Sequence, residues 1–165
     1  MQLIKHRQLV EDTWRHVADD EAIPPAGNVI VSLSRWQTEQ AQLAQHDGQV
    51  GVRLAPADEL DALVADRDAL AAIPVIALEF PRFSDGRGYS KARLLRDRYG
   101  YRGEVRAVGY VLRDQLFYME RCGIDAYELK PGKPLQSALE AFSEFSVTYQ
   151  PAADDPRPLW RRVQR

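Results

Sequence analysis

The chain of 165 residues has one cysteine, Cys122. That count excludes an intramolecular disulfide, a four-thiolate zinc site and an all-cysteine iron–sulfur cluster within a single chain. Histidine is scarce as well. His6, His16 and His46 all fall in the first third, without His-x-x-His or other paired-ligand spacing. A histidine triad, a zinc hydrolase centre and a helical di-metal centre are therefore unsupported. Long apolar runs are missing. The longest spans Leu70 to Leu78 and contains Pro74, whereas a bilayer needs roughly 20 such residues. The opening Met-Gln-Leu-Ile-Lys-His-Arg turns charged at once and lacks the apolar core of a signal peptide. The cytoplasm, where a lone thiol stays reduced, is the expected compartment. Charge of one sign is lacking too. Twenty-two basic and 24 acidic side chains give −2 at pH 7, which excludes a globally basic nucleic-acid binder but not a local basic patch.

The residues that are present point to an α/β fold. From residue 28 short β-branched segments recur: 28–33, 50–54, 74–80, 104–108, 126–129 and 146–149. Each fits a strand. Between them lie helical spacings. Leu60, Leu63, Val64 and Leu70 share one face, as do Leu112, Leu116 and Met119, and Leu135, Ala138, Leu139, Phe142 and Phe145. Residues 90–99 read as a shorter basic helix. Gly100 and Gly123 suit left-handed C-caps, and Pro134 suits a first helical turn. This alternation predicts βαβ units in a mainly parallel sheet, either flavodoxin-like or a partial (β/α) barrel. Five or six strands are too few for a full eight-stranded barrel. Residues 1–27 form a lead-in with two short strands at 3–4 and 8–10. Residues 28–150 form one α/β domain. Residues 151–165 form a proline-broken tail with Trp160 as its expected anchor.

In parallel sheets, ligands bind beyond the carboxyl ends of the strands. The loop Phe80-Pro-Arg-Phe-Ser-Asp-Gly-Arg-Gly-Tyr-Ser-Lys91 is the most informative such place. Gly86 and Gly88 permit a sharp turn, and Ser90 is the expected N-cap of the basic helix. Arg82, Arg87 and Lys91 add positive charge, the parts of an anion site. From Glu79 to Arg106 the chain carries eight basic and four acidic residues, net +4, so the remainder carries −6. Arg106 and Arg113 are expected to join Gly88, Ser90 and the loop cations around an anion. Glu79, Asp85 and Asp114 are the candidate catalytic carboxylates. The same residues also read as a plain turn, a solvated helix face and a structural ion-pair network. The loop is neither a Walker loop nor a complete dinucleotide fingerprint. Cys122 ends a helix, where the dipole disfavours a thiolate.

The run at 79–129, with FPRFSDGRGYS, RLLRDRYGYRGEVRAVG, VLRDQL and RCGIDAYEL, closely resembles the bacterial domain-of-unknown-function family 934. The likeness extends to NVIVSLSRW and FSEFSVTYQ. Its signature residues here are Phe80, Pro81, Arg82, Phe83, Asp85, Gly86, Arg87, Gly88, Tyr89, Ser90, Arg106, Gly109, Arg113, Asp114 and Gln115. The resemblance implies an oxidoreductase or accessory role in assimilatory sulfite reduction, with the sulfite reductase haemoprotein as a partner. It brings no catalytic residues with it. Sulfite reduction takes six electrons and hence metal or flavin cofactors, and no cofactor is identifiable from these residues. The chain is thus expected to be an accessory protein that binds a partner or a small anion, not the reductase itself. The alternative is an independent enzyme on a small anionic or phosphorylated substrate, with Glu79 or Asp114 as base and Arg82, Arg87 and Arg106 as clamps. A third reading is an interaction module that forms a homo-oligomer through the Trp160 tail. No nucleic acid and no membrane is expected as a partner.

Overall fold

The computed structural model describes residues 2–130, 132 and 135–162; Pro134 and its predicted helical position lie outside the described residues. Strands β1 (Gln2–Lys5) and β2 (Gln8–Glu11) form a hairpin. Its two turn residues, His6 and Arg7, both take positive φ, 48° and 61°. This left-handed turn follows the twist of a hairpin, although glycine and asparagine usually fill it. Contacts offset the strain. The His6 N–H donates to the Asp125 carbonyl, and the Arg7 guanidinium grips the Glu120 carboxylate at 2.7 and 2.8 Å.

Then follow β3 (Trp14–His16), β4 (Asn28–Ser32), β5 (Val50–Leu54), β6 (Val75–Phe80), β7 (Glu104–Gly109) and β8 (Ala126–Tyr127). All eight join one sheet in the order β2-β1-β8-β7-β6-β5-β4-β3. The pairings from β8 to β3 are parallel, and those of β1 with β2 and with β8 are antiparallel. The sheet is therefore mixed though largely parallel. Its two edges, β2 and β3, are consecutive in the chain, with only Asp12 and Thr13 between them. Laid flat, eight strands at 4.8 Å spacing extend about 34 Å. Three Cα steps reach at most about 11 Å. The sheet must therefore curl until its edges meet, and the first three strands supply what the sequence count lacked for an eight-stranded curl.

The helices lie outside the curl: α1 (Leu33–Thr38), α2 (Gln40–Leu43), α3 (Asp61–Val64), α4 (Arg67–Ala72), α5 (Arg87–Asp97), α6 (Leu116–Arg121), α7 (Leu135–Ala138) and α8 (Leu159–Arg162). The main core fills the space between them and the sheet. Leu54, Ile76, Leu78 and Phe80 meet Leu63, Leu70, Ala92, Leu95, Leu116 and Met119 there. The inner face carries a smaller apolar group of Ile30, Val75, Ala77 and Val108, flanked by Trp14.

Several expectations change. The helical spacing read from Leu60 to Leu70 is two short helices, because the Asp66 side chain caps the N–H groups of Asp68 and Ala69 and starts α4 anew. The segment 146–149 is no strand, and Val147 and Tyr149 stand exposed. Phe145, expected inward, is exposed as well. Trp160 is 69% exposed and, among the described residues, does not fasten the tail to the domain. Instead, Arg121 holds the tail by ion pairing with Asp154 and bonding to the Gln150 carbonyl, and Arg162 bonds to Thr148. Gly100 and Gly123 do take positive φ, at 67° and 100°.

Helix α5 begins at Arg87 with Gly86 as its cap residue, so Ser90 lies inside the helix and caps nothing. Gly88 is buried because α5 rests directly on Phe80. A Cβ there meets the Phe80 ring at 2.5 Å. Phe80 is fully buried and packs edge-on against Tyr89, so it has nowhere to swing. Gly88→Ala is expected to destabilise the fold by about 1–3 kcal/mol through overpacking, despite alanine's higher helix propensity. Urea denaturation checks this, and an unchanged midpoint refutes the tight contact.

Candidate functional site

The loop from Phe80 to Lys91 does not gather the predicted cations around a free space. Asp85 accepts from the Arg87 N–H at 3.2 Å and from its guanidinium at 2.7 and 3.0 Å. These bonds from Arg87 hold the Asp85 carboxyl down at about 2. The chain's own carboxylate thus sits at the start of α5, where an external anion was expected. Lys91 turns to α3's approach and donates to the carbonyls of Ala55 and Pro56, at 2.7 and 3.1 Å. Burial pushes its ammonium below the ordinary lysine range. Arg113 pairs with Glu144 at 2.6 Å and donates to the Ser137 carbonyl. Arg82, Ser90 and Asp114 are exposed, and Gly88 is covered by Phe80.

Arg106 departs furthest from the expectation. It is 1% exposed on the inner face of β7. Its guanidinium bonds Glu104 at 2.6 Å, Glu128 at 2.9 Å and both oxygens of Asp12 at 3.0 and 3.1 Å. Lys5 adds a second cation 2.7 Å from Glu104. Burial works against the charged guanidinium, but Glu104, Glu128 and Asp12 outweigh it and raise its pKa above the ordinary value. Arg106 is therefore a structural cation inside the curl. It does not meet Arg82 or Arg87. Nor does it pair with Glu79, although β6 and β7 are neighbours. The register sets Arg106 beside Ala77 and Glu79 beside Val108.

The carboxyl ends of the parallel strands carry a different constellation on the inner face. Side chains alternate along a strand, so Arg53 of β5 and Glu79 of β6 point to the same interior as Arg106. Glu128, just after β8, continues the ladder by donating its N–H to the Ala107 carbonyl. Glu79 and Glu128 thus lie two strands apart, about 10 Å by strand spacing. His16, from β3, reaches across the curl and donates through Nε2 to Glu128 at 2.8 Å. Burial alone would raise the Glu128 carboxyl. Hydrogen bonds from His16 and Arg106 outweigh that and hold it below the usual carboxylate range. The His16 side chain keeps 29% exposure, and among the described residues its Nδ1 has no hydrogen-bond partner.

Arg53 differs from the other inward-facing arginine. Its nearest carboxylate oxygens, on Asp19 and Glu79, both lie at 4.0 Å, beyond hydrogen-bond length. Its side chain is 25% exposed. Among the described residues its side chain makes no hydrogen bond, and these two long ion pairs are its charge partners. Ile30, Val75, Ala77 and Val108 line the same inner face as an apolar group, with Ala77 level with Arg53 and Val108 level with Glu79. The strand ends therefore bring together a half-buried guanidinium, two carboxylate acceptors beside it and an oriented imidazole. Of the predicted residues only Glu79 belongs to this group. Arg53, His16, Asp19 and Glu128 were not anticipated there.

A cavity of about 760 Å³ lies at the opposite end of the strands, beside the tail. Its arginines are mostly engaged. Arg7 holds Glu120, Arg93 pairs with Asp97, and Arg96 bonds Asp125 and three carbonyls. Among the described residues no group of three or more His, Cys, Asp or Glu side chains is placed to hold a metal ion. Cys122 is buried, and that burial pushes its thiol up, away from a reactive thiolate. No helix of the described residues is long and apolar enough to cross a membrane.

No curated protein and no solved structure matches the chain. A family model does, described as a bacterial protein of unknown function (DUF934). It covers residues 51–160, from Gly51 in β5 through the strand ends and α6 to the tail, and the chain belongs to this family.

Proposed function

We propose that this protein is a cytoplasmic accessory component of assimilatory sulfite reduction that holds a small anion at the mouth of its curled sheet. The family resemblance motivates the pathway, and the sulfite reductase haemoprotein is the partner it implies. The curl then serves as a partial (β/α) barrel, with its ligand at the carboxyl ends of the parallel strands, where such folds place their sites. The single observation that supports a binding role is Arg53. It is a half-buried guanidinium facing a strand-end mouth, with its nearest carboxylates at 4.0 Å and no hydrogen bond among the described residues. Arginine in that state presents a planar fork of donors suited to an oxyanion.

A second reading, an enzyme acting on the same small anionic substrate, draws on His16. Glu128 fixes the ring through Nε2 and leaves Nδ1 open, the arrangement of an oriented acid–base histidine. Glu79 is the nearby carboxylate base in that reading.

One complementation experiment tests the proposal. A strain lacking the chain is expected to grow poorly on sulfate as sole sulfur source and normally on a reduced sulfur source. The wild-type chain restores growth on sulfate, and Arg53→Gln does not. Normal growth of the deletion strain overturns the pathway role. Full rescue by Arg53→Gln overturns the mouth as the working site.

A further inference from the structure

We infer that the mouth selects an oxyanion that still carries a proton, such as hydrogen sulfite or hydrogen phosphate, over one that carries none, such as sulfate. This rests on the reading that Arg53 holds the anion and goes beyond it by naming the kind of anion. A guanidinium only donates hydrogen bonds, and an ionised carboxylate only accepts them. Arg53 has two carboxylates beside it, Asp19 4.0 Å from Nη2 and Glu79 4.0 Å from Nε. An oxygen seated on Arg53 therefore comes within reach of a neighbour that has nothing to donate.

Sulfate presents lone pairs and two negative charges to that neighbour, so acceptor faces acceptor and like charge faces like charge. A hydrogen-bearing oxyanion behaves differently. Its unprotonated oxygens accept from Arg53, while its O–H donates to Glu79 in a short charge-assisted bond. The other groups around the mouth strengthen the bias. Asp19 is a second acceptor. Glu128 is already engaged by Arg106 and His16, and Arg106 lies buried below. One open donor group among several acceptors fits a ligand that brings its own proton.

Isothermal titration of the full chain with sulfite under exclusion of air, with phosphate and with sulfate, in a buffer free of these ions, tests this. Sulfite and phosphate are expected to bind at least about tenfold more tightly than sulfate. Raising the pH from about 6 to about 8 strips sulfite of its only proton but leaves phosphate one. Sulfite is therefore expected to weaken more than phosphate over that range. Glu79→Gln supplies an amide donor beside Arg53 and is expected to admit sulfate at least about tenfold better. Glu79 is partly exposed, and a circular-dichroism melt verifies that the variant folds. Binding of none of the three ions overturns both this inference and the Arg53 reading. Equal binding of sulfate and phosphate by the wild type, lost in Arg53→Gln, leaves the Arg53 reading standing and overturns the selectivity. Discrimination that survives Glu79→Gln unchanged overturns the part assigned to Glu79.

Discussion

Arg106→Met is expected to destabilise the fold by about 3–5 kcal/mol, the usual penalty for leaving the partners of a buried ion pair uncompensated. The substitution keeps much of the side-chain volume and removes the charge. Glu104 and Glu128 then face each other inside the curl with Asp12, and only the Lys5 ammonium on Glu104 and the His16 hydrogen bond to Glu128 remain against them. Asp12 sits in the two-residue link that joins the sheet edges, and its carboxylate also accepts from the Trp14 N–H. Losing Arg106 therefore loosens the seam as well as the centre. Domains of this kind have only about 5–15 kcal/mol of stability in total, so the variant should unfold at much lower urea. A companion variant that also neutralises Glu104 and Glu128, with glutamine at both, is expected to recover part of the loss because fewer unpaired charges remain. A loss below about 1 kcal/mol in the single variant would show that the cluster is solvated and not closed.

Phe80→Ala should cost a comparable amount, about 3–5 kcal/mol, the range for truncating a buried aromatic ring. Phe80 ends β6, is 0% exposed and carries α5 on its ring through Gly88. Its carbonyl accepts from the Tyr110 N–H at 2.6 Å, which ties the end of β6 to the turn after β7. The ring's loss leaves a void between β6, α5 and Tyr89 that the backbone cannot easily collapse into, since Gly88 has no side chain to fill it. The double variant Phe80→Ala with Gly88→Ala is expected to be less destabilised than the two single effects added together, because the new methyl enters the void left by the ring. Strict additivity in urea denaturation would refute the direct contact.

The strands from β4 to β7 were legible because β-branched apolar runs buried on both faces leave few other options. The segment 146–149 has the same residue types yet forms no strand. Propensity marks only fitness for a pleated, half-buried surface, and this segment finds no sheet edge to join. The site was harder to read. Glu79 was visible as a carboxylate ending a strand. His16 was not, because its partner Glu128 lies 112 residues away and nothing local signals the pairing. One clue was present in the alternation Glu104-x-Arg106. Two opposite charges on the same side of a strand with an apolar flank already describe a polar interior facing the helices' opposite side. The basic loop misled for a physical reason. A helix start that attracts anions attracts the chain's own Asp85 first, at an effective concentration no free ion matches.

The hairpin of β1 and β2 precedes its neighbour in the sheet, β8, by more than a hundred residues, since β8 begins only at Ala126. During synthesis the hairpin must wait for more than a hundred further residues before its strand partner exists. Long-range pairings of this kind slow folding, and a waiting hairpin is a sticky surface on the ribosome. Permuting the chain so that residues 2–16 follow the C-terminal tail would shorten that wait and should raise soluble yield if nascent-chain delay is what limits it.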